Sequence, residues 1–278
     1  MRSTRKIPRA VPWTSEEWVA YYRRNARGLL RLPWERGAEL SDAHKDVLSA
    51  SLQDFQLGES SEGLQLLARA EAHARAAADP AYVDAIRCFI GEEQRHAATL
   101  ARFLAAAGVP PREHTRLDSA FRWFRHRVGF EWFLRILVAA EMIGKVYYRA
   151  VLRASDSALL RGICTQLLRD EVRHLRFHFE RLAQLRRHQP AWKQRMTNRL
   201  YWCFYRGTAL AVWLRHHRAF RAGGVHFQSY WAQCRTEWRA MEWRTDADNY
   251  LFPTIRCRPP VSVCNAATSA ETEACAIS

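Results

Sequence analysis

Apolar residues recur at helical spacing along most of the chain, and glycine and proline gather at a few points between these stretches. This pattern predicts helices joined by connections. A capping box of Thr14 and Glu17 opens a short helix near 15–30. Long helices are then predicted over about 42–77, 80–107, 128–154 and 157–187. Two more follow over about 191–220 and 226–250.

The connections between the four long helices indicate how they pack. Short connections join the first to the second and the third to the fourth, whereas a longer stretch separates the two pairs. Two antiparallel hairpins with a long crossover are typical of a ferritin-like four-helix bundle. We therefore predict an all-α fold. Its predicted parts are an N-terminal arm with a short helix (1–41), the bundle (42–187), Trp- and Arg-rich accessory helices (188–252) and a disordered tail (253–278).

An acid-Glu-x-Arg-His pattern occurs twice, once in the second long helix and once in the fourth. The first copy contains Glu93 and His96, and the second contains Glu171 and His174. Residues three apart share one face of a helix, so each pair can reach the same ion. The apolar positions around each pair follow helical spacing, which places both pairs on the core side of their helices.

Buried carboxylates are costly unless they are paired or bound to metal, so the other two long helices are expected to supply partners. Glu141 lies on the apolar stripe of the third long helix. In the first, Glu59 and Glu62 both lie on the inward stripe. One Glu from each of two helices and a Glu-x-x-His from each of the others is the inventory of a two-metal carboxylate centre. The predicted metal ligands are Glu59 or Glu62, Glu93, His96, Glu141, Glu171 and His174.

The series E…ExxH…E…ExxH, over about 48–186, resembles the ferritin-like di-iron superfamily of rubrerythrins, bacterioferritins, ribonucleotide reductase small subunits and di-iron oxygenases. The segment FQLGESSEG is similar to the rubrerythrin segment in which the Glu of GES is a ligand, which favours Glu59. The closer match to the spacing of Glu141 and Glu171 favours Glu62. The resemblance implies two iron ions, with manganese as an alternative, and O2 as co-substrate.

Further polar residues lie beside these predicted ligands. Asp170 and Glu92 resemble the outer acids that hold ligand histidines in such centres, and a solvated charge is the alternative. His178 follows His174 by one turn. Arylamine N-oxygenases carry an additional ligand histidine, but theirs precedes the Glu of the fourth helix, so a core histidine is favoured here over an additional ligand. Tyr148 faces inward, either as packing or with a redox or hydrogen-bonding role. Tyr148, Asp170 and His178 are the candidate catalytic residues.

The composition bears on location and partners. The chain has 43 Lys and Arg against 28 Asp and Glu, a formal net charge of +15, and its seven cysteines form no C-x-x-C motif. The cysteine pattern fits neither a disulfide framework nor a zinc or rubredoxin-type site. The basic N-terminus lacks the apolar region of a secretory signal, which predicts a cytoplasmic protein. The basic, Trp-rich region over 191–243 leaves nucleic acid or an acidic membrane surface open as a partner, although packing on the bundle is favoured.

These features predict a di-iron oxidoreductase that activates O2 to oxidise or hydroxylate a small organic substrate, as a monooxygenase does. The extra C-terminal helices favour an oxygenase over a storage subunit, by analogy with the family. Without a rubredoxin module, electrons come from an external donor or from the substrate. The alternatives are an iron-binding or ferroxidase protein without an organic substrate, and a tRNA-modifying di-iron hydroxylase suggested by the charge. An oligomer is left open.

Overall fold

The computed structural model describes residues 9–60, 63–113, 115, 123 and 127–252. Within these ranges the chain is helical, and its only β-pairing is an isolated bridge between Ala10 and Tyr250. Short 3-10 turns lie at Trp34–Arg36 and Ala247–Asn249. The α-helices are α1 (Ser15–Asn25), α2 (Asp42–Glu59), α3 (Leu64–Ala77), α4 (Ala81–Ala106), α5 (Phe130–Ala154), α6 (Ala158–Arg186), α7 (Ala191–Ala222) and α8 (Phe227–Arg244). The predicted all-α class is confirmed.

The bundle consists of two helix hairpins. In one, α2 and α3 together pack against α4, and in the other α5 packs against α6. A long connection leads from α4 to α5, as the sequence predicts. The buried apolar residues of all these helices belong to one core, so the two hairpins close around a shared interior.

The predicted helix over 42–77 is interrupted, and this is a correction. It ends at Glu59 and resumes at Leu64 as a second helix. Gly63 has a φ of +70°, and a Cβ there would lie 2.6 Å from the side chain of Ile90 on α4. Position 63 therefore requires glycine. The apolar periodicity crosses the turn because both pieces keep a buried face, which hides the interruption in the sequence.

Helix α1 packs on α4 and places Trp18 and Tyr22 in the core. The predicted capping box is present, since Thr14 accepts from the backbone of Glu17 and the Glu17 side chain accepts from the backbone of Thr14. The helix ends at Asn25, earlier than the predicted end near 30. Its last residue reaches the polar interior of the bundle.

The accessory helices cover one side of the bundle. Helix α7 packs on α5 and α2, and α8 packs on α5, α6 and α7. The carboxylate of Glu237 on α8 binds Lys145 at 2.6 Å and Arg149 at 3.0 Å, both on α5. Gly223 follows α7 directly, where a Cβ would collide with the carbonyl oxygen of Ala150. The predicted packing of this region on the bundle is therefore observed.

Three findings concern the C-terminal part of the chain and its apolar segments. Helix α8 ends at Arg244, short of the predicted 250. The predicted tail over 253–278 lies outside the described residues. Among the helices of the described part, none combines the length and the apolar character that crossing a membrane requires.

Candidate metal centre

The two Glu-x-x-His pairs meet in the interior of the bundle. Glu93 and His96 come from α4, and Glu171 and His174 come from α6. Each offers one ligand atom, and the four atoms all lie within 4.8 Å of one another. Residues three apart on each helix share the face that turns toward the other helix, so packing of the two helices brings the pairs together.

Both histidines turn Nδ1 toward this cluster. Nδ1 of His174 lies 2.9 Å from Oε1 of Glu93, and Nδ1 of His96 lies 3.8 Å from the same oxygen. Neither contact has the geometry of a hydrogen bond, so these buried atoms have no hydrogen-bond partner within the described structure. Buried polar atoms are normally paired. Unpaired nitrogen and oxygen atoms that converge on one point are the arrangement expected of metal ligands.

The opposite ring nitrogens are held by the outer acids in a crossed arrangement. Asp170 on α6 accepts from Nε2 of His96 on α4, at 3.0 Å. Glu92 on α4 contacts Nε2 of His174 on α6, at 2.9 Å. A proton fixed on Nε2 leaves the lone pair of Nδ1 directed at the cluster, which is the tautomer that a metal binds. Both acids are buried, so the alternative of a solvated charge is wrong for both.

Asn25 joins the two outer acids, and the sequence did not reveal it. Its amide donates to Glu92 at 2.7 Å and to Asp170 at 2.8 Å. Gln166 also donates to Asp170, and Arg95 lies 3.3 Å from both acids. Asn25 is the last residue of a short helix far from either motif in sequence, so no spacing could connect it to them.

The electrostatics of the cluster reflect crowded carboxylates. Burial raises the pKa of Glu171 well above its usual value, and the neighbouring charge of Glu93 raises it further. The same two causes raise the pKa of Glu59. Burial also acts to raise the pKa of Glu93, but His174 outweighs it and lowers the pKa to about 2. Three carboxylates so close together cannot all ionise without a compensating cation.

Of the two candidate ligands Glu59 and Glu62, the structure describes Glu59, the last residue of α2. Its carboxylate accepts a hydrogen bond from the hydroxyl of Tyr148 at 2.6 Å, and the charge of Glu93 acts on its pKa, although Glu59 is not one of the four residues that converge. Glu62 lies outside the described residues. Burial and the charge of Glu59 both raise the pKa of Tyr148, which keeps this phenol protonated.

Glu141 and His178 form a second buried pair beside the cluster. Nε2 of His178 lies 3.3 Å from Oε1 of Glu141, without hydrogen-bond geometry. Both oxygens of Glu141 and both ring nitrogens of His178 have no hydrogen-bond partner within the described structure. Glu141 is not one of the four residues that converge, although its charge acts on the pKa of Glu171. Glu141 therefore lies near the cluster, and its carboxylate makes no hydrogen bond within the described structure.

Aromatic rings enclose the histidines. Phe89 packs edge-on against His174 and His178, with centroids 4.8 and 4.7 Å apart. Tyr22 lies 6.2 Å from His174, and Phe177 lies 5.1 Å from His178. All of these rings are buried. The site is thus a carboxylate and imidazole cluster inside an apolar wall.

Comparisons with known proteins support the fold. No protein-family model matches the sequence, and no curated protein sequence matches it. Among solved structures, the chain is similar to a mutant of an R2-like ligand-binding oxidase with an aerobically reconstituted Mn/Fe cofactor. The TM-score is 0.59 and the identity 14%, over 85% of this chain and 93% of that one. This likeness confirms the predicted ferritin-like architecture.

Proposed function

We propose that this protein is a di-metal oxidoreductase that uses O2 to oxidise or hydroxylate a small organic substrate. The observation that carries the proposal is the pair of histidines whose Nε2 atoms are held by acids while their Nδ1 atoms face Glu93 and Glu171. A metal-free polar core would pair these nitrogens with donors or acceptors.

The donor set fits a pair of iron or manganese ions. Carboxylate oxygens and imidazoles are the ligands that these ions take in helical bundles. Glu93, His96, Glu171 and His174 would hold the ions, with Glu59 and Glu141 completing the set. The Mn/Fe cofactor of the R2-like oxidase supports this assignment because that protein shares the fold. When bound, two such ions supply electrons for the reduction of O2.

The chain's own residues provide the surroundings that this chemistry needs. Asp170 and Glu92 orient the imidazoles, and Asn25 fixes the distance between the two acids. Phe89 and Phe177 keep water away from the histidines, which protects reactive species from side reactions. The hydroxyl of Tyr148 donates a hydrogen bond to the carboxylate of Glu59, at the edge of the cluster.

His178, whose Nε2 lies 3.3 Å from Oε1 of the proposed ligand Glu141, gives the site a group that can take up or deliver a proton. Oxygenation of a C–H bond by O2 also forms water, so the reaction needs protons and electrons beyond those of the C–H bond that is oxygenated. We propose a separate reductase or the substrate itself as the electron source. His178 lies close enough to Glu141 to pass a proton to it after a small rotation of either side chain.

The test is an anaerobic titration of the purified protein with Fe(II), followed by measurement of O2 consumption and of its products. We expect a limited uptake of O2 per chain that resumes only when a reductant is added. His174→Ala should abolish it. A matched control is His226→Ala, which removes an exposed histidine at the start of α8.

Other outcomes would favour the alternatives. Continued O2 uptake with growth of an iron mineral and assembly into a cage would support a ferroxidase or storage protein. Salt-dependent binding of tRNA, with an increase in the mass of a nucleoside after reaction, would support a tRNA hydroxylase.

A further inference from the structure

The outward face of α7 carries an apolar stripe. Five large apolar side chains on this face are between 43% and 66% exposed in the described part of the chain, namely Trp192, Met196, Leu200, Leu210 and Leu214. Cys203 and Gly207, also exposed, lie between them. The spacing is three or four residues throughout, so all seven positions lie along one side of the helix. At 1.5 Å per residue the stripe is about 33 Å long.

Basic residues flank this stripe, and α7 contains no Asp or Glu. Its Lys and Arg residues are Lys193, Arg195, Arg199, Arg206, Arg215, Arg218 and Arg221. Arg215 and Arg218 are paired with Asp54 and Asp46 of α2. Three exposed basic residues lie beside the end of the stripe that contains Trp192, namely Lys193, Arg195 and Arg199. The helix therefore presents hydrocarbon and positive charge together.

We infer that α7 docks this protein on a membrane surface that contains anionic lipids. A helix with Leu and Trp on one face and Lys or Arg at its margins lies in the plane of the lipid headgroups. The apolar stripe enters the acyl boundary, and the flanking basic side chains bind lipid phosphates or carboxylates. Each Lys or Arg near an acidic membrane adds to the attraction, and the net charge of +15 adds a long-range contribution.

The charge pattern selects this occupant over two others. A second copy of the chain, seated through the same stripe, would bring its own basic margins against these, with no acid on α7 to compensate. An RNA strand would pair with the arginines, but it would leave Met196, Leu200, Leu210 and Leu214 in water. Nucleic-acid platforms use aromatic rings for stacking, and this stripe has one aromatic ring, Trp192, at its end.

The experiment is co-sedimentation of the full-length protein with vesicles, using phosphatidylcholine alone or mixed with phosphatidylserine. We expect binding to the mixed vesicles only, weakened by salt. Leu200→Gln with Leu214→Gln should weaken it by about tenfold or more, because two exposed apolar side chains no longer enter the lipid. Arg195→Gln with Arg199→Gln should also weaken it by about tenfold or more.

Matched controls separate the stripe from general effects. Leu64 on α3 is 64% exposed, so Leu64→Gln removes a comparable side chain elsewhere. Arg75→Gln with Arg153→Gln makes the same change in net charge on other helices. Both controls should bind like the wild type, and circular dichroism should show unchanged helix content in every variant.

Three results would overturn the inference. The first is unchanged vesicle binding by the variant at Leu200 and Leu214. The second is tight binding of a single-stranded homopolymer RNA without vesicle binding, which would assign the surface to nucleic acid. The third is a dimer in sedimentation equilibrium that this same variant converts to a monomer, which would assign the stripe to a second copy.

Discussion

Asp170 lies on α6, yet the histidine that it holds is His96 on α4, with Oδ2 and Nε2 3.0 Å apart. The acid beside one Glu-x-x-His pair thus orients the histidine of the other pair. Glu92 makes the reciprocal contact with His174, and Asn25 bridges the two acids. The crossed contacts connect the two helix hairpins, so the positions of the ligand nitrogens depend on how α4 and α6 pack.

The first prediction concerns this crossed contact. In Asp170→Asn, the amide can no longer fix the proton of His96 on Nε2 as an acid does, and loss of such an outer partner costs roughly tenfold to a hundredfold in metal affinity. Competition with a chelator, using Mn(II) or Fe(II), measures it. Glu131→Gln, which alters a half-buried acid on α5 that pairs with Arg135, is the control. Unchanged affinity in Asp170→Asn would refute the orienting role.

The second prediction concerns stoichiometry. The crowding of Glu59, Glu93 and Glu171 requires positive charge, and six predicted ligands suit two ions. Protein purified from iron-replete cells should hold about two iron or manganese ions per chain. Elemental analysis with magnetic measurements of coupling between the ions is the check. A single uncoupled ion, or zinc alone, would contradict a two-metal centre.

The third prediction decides between the helix-one carboxylates. Glu59 accepts from Tyr148 and feels the charge of Glu93, so we expect Glu59→Ala to lose at least one metal ion and Glu62→Ala to keep both. Metal content per chain after purification measures this difference. The reverse result would assign the ligand to Glu62. Full retention in both variants would mean that neither Glu59 nor Glu62 is a ligand.

The fourth prediction concerns His178, which is not one of the four residues that converge. His178→Asn should keep both metal ions and slow O2 consumption by roughly tenfold, as expected for a residue that acts through Glu141. A shift in the pH dependence of the rate would distinguish proton delivery from packing alone. Loss of a metal ion in His178→Asn would instead make this histidine a ligand, as in the arrangement that the sequence left open.

The sequence predicted the main helices and the convergence of the two motifs because both depend on local spacing. Apolar periodicity around Glu93 and Glu171 marks the faces that point inward, and packing of two inward faces brings His96 and His174 together. Long-range contacts have no such signal. Asn25 reaches the outer acids only because α1 folds back across α4, and a short amphipathic helix can pack on any exposed apolar face.

The turn after Glu59 was missed for a related reason. The apolar periodicity continues across the interruption. Gly63 marks the interruption in the sequence, but glycine also occurs inside helices at a modest cost in stability. Its positive φ and the proximity of Ile90, both visible only in the structure, show why glycine is required there. The roles of Tyr148, Asp170 and His178 in catalysis stay predictions, since contacts place these residues without measuring what they do.

The fifth prediction concerns acid stability, and it rests on His216. This histidine on α7 is buried, its Nδ1 lies 2.9 Å from the hydroxyl of Ser51, and its ring packs against Phe55 and Tyr147. Burial lowers its pKa from 6.5 to about 4. The unfolded chain therefore binds a proton more readily than the folded one between pH 6.5 and pH 4. Stability contributed by the neutral ring is present above pH 6.5 and falls as the pH drops through this window.

The variant His216→Phe keeps a ring in the pocket and removes the titration. Its free energy of unfolding should depend less on pH between 6.5 and 4, by at most about 3 kcal/mol across the window. Loss of the Ser51 contact should lower stability by about 1 kcal/mol at every pH, which does not change the slope. Burial, and to a lesser extent the charge of Arg181, also lowers the pKa of His73 to about 4. His73 therefore keeps part of the pH dependence of stability in both proteins. Urea denaturation of metal-free protein at a series of pH values gives the comparison, with His226→Gln as the exposed control. Equal slopes for wild type and His216→Phe would mean that His216 takes up its proton in the folded protein as readily as in the unfolded chain.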